Sequence, residues 1–158
     1  MMTLLFSIVL SGVLWLAALP GFSQVFSGAV PNNLGVTNQQ FAPCPDSPNC
    51  VSSQAPMGDK EHYIAPLTYD SERQTAKETI VKILSVVPRT SIVEQTDDYL
   101  RAESTSRLMG FVDDLEFYFP PNKTVIEWRS ASRLGESDLG VNRRRLEQIR
   151  LALADLTA

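Results

Sequence analysis

Charge is missing from the front of this chain. The first formally charged residue is Asp46 and the next is Asp59, so every lysine and arginine, and all acids but one, fall in the last hundred of 158 residues. Histidine is nearly absent, with His62 alone, and cysteine is limited to Cys44 and Cys50. One histidine excludes a histidine-rich metal site, and two cysteines exclude a cysteine-dense scaffold. A net charge of −4 with no polybasic tail argues against nucleic-acid or membrane-surface binding. Apolar residues, at 44%, are too plentiful for wholesale disorder, and the body is long enough for one core rather than two. No internal repeat is present.

The uncharged front divides in two. Met1 to Leu19 is almost continuously apolar and is broken by Pro20 and Gly21. Gly21 and Ser23 supply small residues at −3 and −1 of a cut before Gln24, the pattern of a secretory signal peptide. No basic residue precedes the apolar run, which leaves an uncleaved membrane anchor as the alternative. Residues 1–23 therefore read as signal or anchor helix, and 24–43, rich in Gly, Asn, Gln and Ser, as an extended linker or strap. Residues 44–158 form the globular domain. The expected location is outside the cytoplasm, in a periplasm or thylakoid lumen.

Export bears on the cysteines. Cys44 and Cys50 lie in FAPCPDSPNCVSS, where Pro45 and Pro48 bend the segment between them. An even cysteine count in an exported chain suggests a structural disulfide, worth about 2 kcal/mol for so small a loop. A reversible redox pair, although the close C-x-x-C spacing is lacking, and free thiols are the alternatives.

Hydrophobic periodicity sets out the body. His62–Tyr69 reads as a short edge strand, because Pro66 cannot sit inside a sheet. Ser71 and Gln74 form a capping-box pattern ahead of a helix that buries Ala76, Ile80, Ile83, Leu84 and Val87 and ends at Pro88. Thr90–Thr96 and Tyr99–Ser104 read as strands of weaker alternation. Phe111–Phe119 and Thr124–Ser132 are clearer, with Phe111, Leu115, Phe117 and Phe119 of the first and Ile126 and Trp128 of the second toward the core. A last helix starts near Ser137 or Asp138 and buries Leu139, Leu146, Ile149, Leu153 and Leu156, with Asn142 inside that face and Arg143 at its border. The expected fold is α+β: an antiparallel four- to five-stranded sheet with both helices on one face.

Alternation also sends polar groups inward. If Phe111–Phe119 and Thr124–Ser132 pair with their apolar faces together, Asp113 stands opposite Ser130 or Ser132. The opposite face takes Asp114 and Glu116, for which Arg129 is a cross-strand partner. This split disfavours a metal site shared by Asp113, Asp114 and Glu116.

The segments CPDSPNCVSS, GFVDDLEF and RSASRLGESDLGVNRRRLEQIR together resemble the domain of unknown function 1499 (DUF1499) family, over about Phe41 to Leu153. The resemblance implies a small domain found in bacteria, including cyanobacteria, and in plastids, with no established activity. The family pattern falls here on Cys44, Pro48, Asn49, Cys50, Val51 and Ser52, on Phe111, Asp113, Asp114 and Glu116, and on Arg129, Ser130, Ser132, Arg133, Asp138, Asn142 and Arg143.

Asp113, Ser130, Ser132, Arg133, Asn142 and Arg143 are thus the candidate ligand-binding residues, brought to one end of the sheet beside the start of a helix. Serines, arginines and a helix N-terminus suit an anionic group. A buried structural network is the competing reading of the same residues. The leading expectation is a non-enzymatic accessory or binding domain for a small anionic ligand or a membrane-associated protein, with no cofactor and no metal. The alternatives are a hydrolase using the same cluster, weakened by the distance of His62 in sequence, and a redox protein acting through Cys44 and Cys50.

Overall fold

The computed structural model describes residues 26–157; the expected signal or anchor at 1–23 lies outside the described residues. The elements follow in the order β1 (Cys50–Ser52), β2 (Leu67–Thr68), α1 (Arg73–Val86), β3 (Thr90–Gln95), β4 (Tyr99–Thr105), β5 (Val112–Tyr118), β6 (Val125–Ser132) and α2 (Val141–Thr157). They build an α+β domain on a six-stranded antiparallel sheet of order β1-β6-β5-β4-β3, in which β2 also pairs with β6.

Six strands stand where four or five are expected, because β1 carries no alternation signal. It is a three-residue strand that continues directly out of the cysteine loop onto β6, pairing Cys50 with Ala131 and Ser52 with Arg129. The expected strand at His62–Tyr69 shrinks to Leu67–Thr68, which pairs with Ile126 and Val125, plus a parallel bridge between Tyr63 and Ser52. The weak alternation of Thr90–Thr96 has a cause. The register of β3 against β4 shifts between Ile92 and Glu94, and such a bulge moves later side chains to the other face.

The core lies on the helix side of the sheet. Ile80, Ile83 and Leu84 of α1 and Leu146, Ile149 and Leu153 of α2 join Leu100, Leu115, Phe117, Ile126 and Trp128 in one buried cluster. Trp128 is wholly buried. It donates its indole Nε1–H to the Ala65 carbonyl at 3.0 Å and lies 4.9 Å beneath the Arg150 guanidinium.

The helix starts differ from expectation. The Ser71–Gln74 capping box does not form: Glu72 is the N-cap without a side-chain bond, Ser71 Oγ donates to the Glu72 carbonyl, and Gln74 donates to Glu78. Helix α2 begins at Val141, a few residues beyond the expected start at Ser137 or Asp138, but of those two Asp138 does cap it. Asp138 accepts from the backbone N–H groups of Gly140 and Asn142, so its carboxylate caps the entry. Leu139 consequently lies outside the helix, exposed, with a left-handed φ of 54°. Leu156, also expected inside, is exposed in the last turn.

The chain before β1 covers the other face of the sheet. The Phe26 ring packs 5.5 Å from that of Phe111, and Val36 and Phe41 pack with Tyr99 and Tyr118. Gly28, at φ 68°, passes so close to the sheet that a Cβ there would sit 2.9 Å from Arg133 Cβ. Strand β5 is therefore buried on both faces along its whole length.

Candidate functional site

The observed register places Asp113 opposite Ser132, one of the two pairings that alternation allows. On the helix side these residues meet Asn142 of α2. Ser132 Oγ donates to Asp113 Oδ1 at 2.5 Å, and Ser130 Oγ donates to Asn142 Oδ1 at 2.5 Å. Asn142 Nδ2 donates to Ser132 Oγ and to the Asn49 carbonyl, both at 3.1 Å. Asn142 and Ser130 are wholly buried. The cation that closes this cluster is Arg145, which donates to Asp113 Oδ2 at 2.7 Å and to Asn142 Oδ1 at 2.8 Å. Asp113 is thus neutralised and hydrogen-bonded at both oxygens, as a buried carboxylate requires.

Two expected members lie elsewhere. Arg143 donates to the backbone carbonyls of Tyr63, Glu61 and Lys60, and so ties α2 to the segment before β2. Arg133 follows Ser132 directly, and alternation sends it to the opposite face. There it forms a bidentate pair with Asp114, Nε to Oδ2 at 2.8 Å and Nη2 to Oδ1 at 2.9 Å, and also reaches Glu103. The structure therefore gathers Asp113, Ser130, Ser132 and Asn142 in one network and places Arg133 and Arg143 outside it.

The opposite face carries a second, larger ionic network. Arg101 donates to Asp114 and Glu103, both at 3.0 Å. Arg129 donates from Nη1 to Glu116 Oε2 at 2.8 Å. Tyr99 OH and the Gly35 N–H donate to the other Glu116 oxygen at 2.9 and 2.7 Å. Asp114 and Glu116 are fully buried by the covering strap, although they alternate away from the apolar core. Burial, and then the Glu116 charge, raise the Tyr99 pKa, so its hydroxyl keeps the proton that it donates. The Asp114 hydrogen bond, against the opposing effect of burial and together with Glu103, raises the pKa of Arg133.

One group in this network is left over. Arg129 Nε is the buried side-chain polar atom without a hydrogen-bond partner among the described residues. Arg129 lines a recess of about 340 Å³ between the strap at Pro31 and Leu34, the loop at Cys44 and Pro45, and the sheet at Ser132 and Arg133. The loop is closed by a Cys44–Cys50 disulfide, with Cα atoms 5.6 Å apart.

His62 has a defined place as well. It is buried, with Nδ1 2.7 Å from Asp59 Oδ2 and Nε2 3.3 Å from the Ser47 carbonyl. Both ring nitrogens face acceptors, so the imidazolium is the form that satisfies both. Burial lowers its pKa, but the hydrogen bonds to Asp59 and Ser47, with the charges of Asp59 and Glu61, outweigh this and raise it above the ordinary 6.5. The hydrogen bond from His62 lowers Asp59 below its ordinary 3.8. A raised histidine pKa contributes stability that is complete below 6.5 and is lost as pH rises through the folded-state value; the lowered Asp59 contributes above 3.8 and is lost on acidification. The stability difference between the wild type and His62→Gln is therefore expected to be larger near about pH 5.5 than near about pH 8, as read by urea unfolding. Equal differences would mean that folding leaves the His62 pKa unshifted, and a larger difference near about pH 8 that His62 folds as the neutral imidazole.

The fold and its two networks define a class: a small α+β domain whose charged residues are turned inward on both faces of the sheet. Residues 40–153 match the family described as "Protein of unknown function (DUF1499)", and the chain belongs to it. No curated protein matches the chain.

Proposed function

We propose that this is an exported, non-enzymatic binding domain, and that the recess beside Arg129 takes a small ligand through an oxygen acceptor, a carboxylate being the best fit. The observation that carries this reading is the unmet Nε of Arg129, a residue that lines the recess together with Asn33, Asn49, Ser132 and Arg133. An unpartnered buried guanidinium nitrogen carries a desolvation cost of about 1–3 kcal/mol, which an incoming acceptor would remove. Asp114 and Glu116 already pair with Arg133 and Arg129, which leaves Arg129 Nε as the unmet donor. The Asp113–Asn142–Arg145 cluster fixes β6 against α2 and occupies both Asp113 oxygens.

The full chain, labelled with nitrogen-15, would be titrated with acetate and followed through its arginine Nε–H signals. The signal assigned to Arg129, identified by its loss in Arg129→Gln, is expected to move in a saturable way. An Arg129 signal that stays fixed while the protein remains folded would overturn the assignment.

A further inference from the structure

A different part of the molecule carries a second site. The link from α1 to β3, the end of β4, the β4–β5 turn and the first turns of α2 meet at one end of the sheet. There a recess of about 410 Å³ is lined by Arg89, Arg107, Arg144 and Arg145 with Ser104 and Ser106, and no Asp or Glu lines it. Arg145 is neutralised by Asp113. The other three have no carboxylate partner among the described residues: Arg89 donates to the Thr105 carbonyl, Arg144 to the Leu139 carbonyl, and Arg107 to nothing. Three uncompensated cations around a polar recess are unusual in a chain of net charge −4.

Exposed apolar residues adjoin the lining residues in sequence: Val86 precedes Val87 at 77% exposure, Leu108 (89%) and Met109 follow Arg107, and Leu139 (83%) lies two residues before Val141. Leu139 and Arg89 both hold left-handed backbone, at φ 54° and 55°, which a non-glycine side chain adopts only at a cost. Asp113 is occupied by Arg145, and Asp138 in capping α2. Exposed leucines around arginines match a bilayer surface, with apolar tips entering the interface and cations meeting phosphates.

The path of the chain agrees. The described chain begins at this same end, with Phe26 on Phe111 and Gly28 against Arg133 and Leu134. The apolar run of the leader stops at Leu19. Seven residues span about 25 Å at most, so a leader kept as an anchor would hold this end against the membrane. We infer that this pole docks on a bilayer carrying anionic lipids, with a headgroup phosphate seated among Arg89, Arg107 and Arg144.

The test uses the full chain with a nitroxide at Leu108→Cys. It would be reconstituted in vesicles of phosphatidylcholine alone, or of equal parts phosphatidylcholine and phosphatidylglycerol. The label is expected to become more accessible to oxygen than to a water-soluble nickel chelate only in the phosphatidylglycerol vesicles. The triple variant Arg89→Glu/Arg107→Glu/Arg144→Glu, with an unchanged circular dichroism spectrum, is expected to lose that inversion, and the corresponding triple lysine variant to keep it. Parallel calorimetric titration with inorganic phosphate separates the sources of phosphate. Saturable phosphate binding with a label that stays aqueous would make this a soluble-phosphate site and overturn membrane docking, as would a label that stays aqueous with no phosphate binding. Equal label immersion in both vesicle types would overturn the role of the arginines.

Discussion

Asp114→Ala is expected to destabilise the domain by about 3–5 kcal/mol, because it leaves two guanidiniums buried with too few acceptors. Asp114 receives two hydrogen bonds from Arg133 and one from Arg101, and its side chain is 1% exposed. Without it, both arginines converge on Glu103, with Glu94 reaching only Arg101, at 3.6 Å on the exposed edge. A surface pair would be worth under about 1 kcal/mol. The size of the loss therefore measures how completely the strap keeps water from this face. Urea unfolding of the oxidised protein near neutral pH gives the value. A loss below about 1 kcal/mol would mean that the face is wet and its ion pairs are ordinary surface contacts.

Arg145→Met is expected to cost about 3 kcal/mol or more, and Arg143→Met only about 1 kcal/mol. The first leaves Asp113 buried with the Ser132 hydroxyl as its remaining partner. The second removes hydrogen bonds to backbone carbonyls that are partly open to water. The double variant Arg145→Met/Asp113→Asn should recover part of the loss, since it removes the charge that the first change stranded. Equal losses at the two arginines would contradict the observed helix phase.

That phase marks where the sequence stops being informative. The buried stripe of α2, Asn142, Leu146, Ile149 and Leu153, follows from helical spacing alone. Relative to Asn142, Arg145 lies about 60° to one side and Arg143 about 100° to the other, so both are border positions. Which border faces Asp113 depends on where the helix crosses the sheet, and periodicity does not encode that. Arg133 is a different case. Alternation along β6 already separates it from Ser130 and Ser132, so a place at the same end of the sheet is not a place on the same face. The register of Asp113 on Ser132 was legible to within one alternative. Burial of Asp114 and Glu116 was not, because it depends on a glycine- and asparagine-rich segment that has no periodicity of its own.

That segment also sets how the domain would bear load. Any pull along the chain from residue 25 reaches the Phe26–Phe111 stack first, then Gly28 on Arg133, then the Gly35–Glu116 bond. These contacts would open one after another, as a strip peels from a surface, before tension reached the disulfide loop and β1. The six-stranded sheet would lose its lid, and its ionic face would flood, while its strands remained paired.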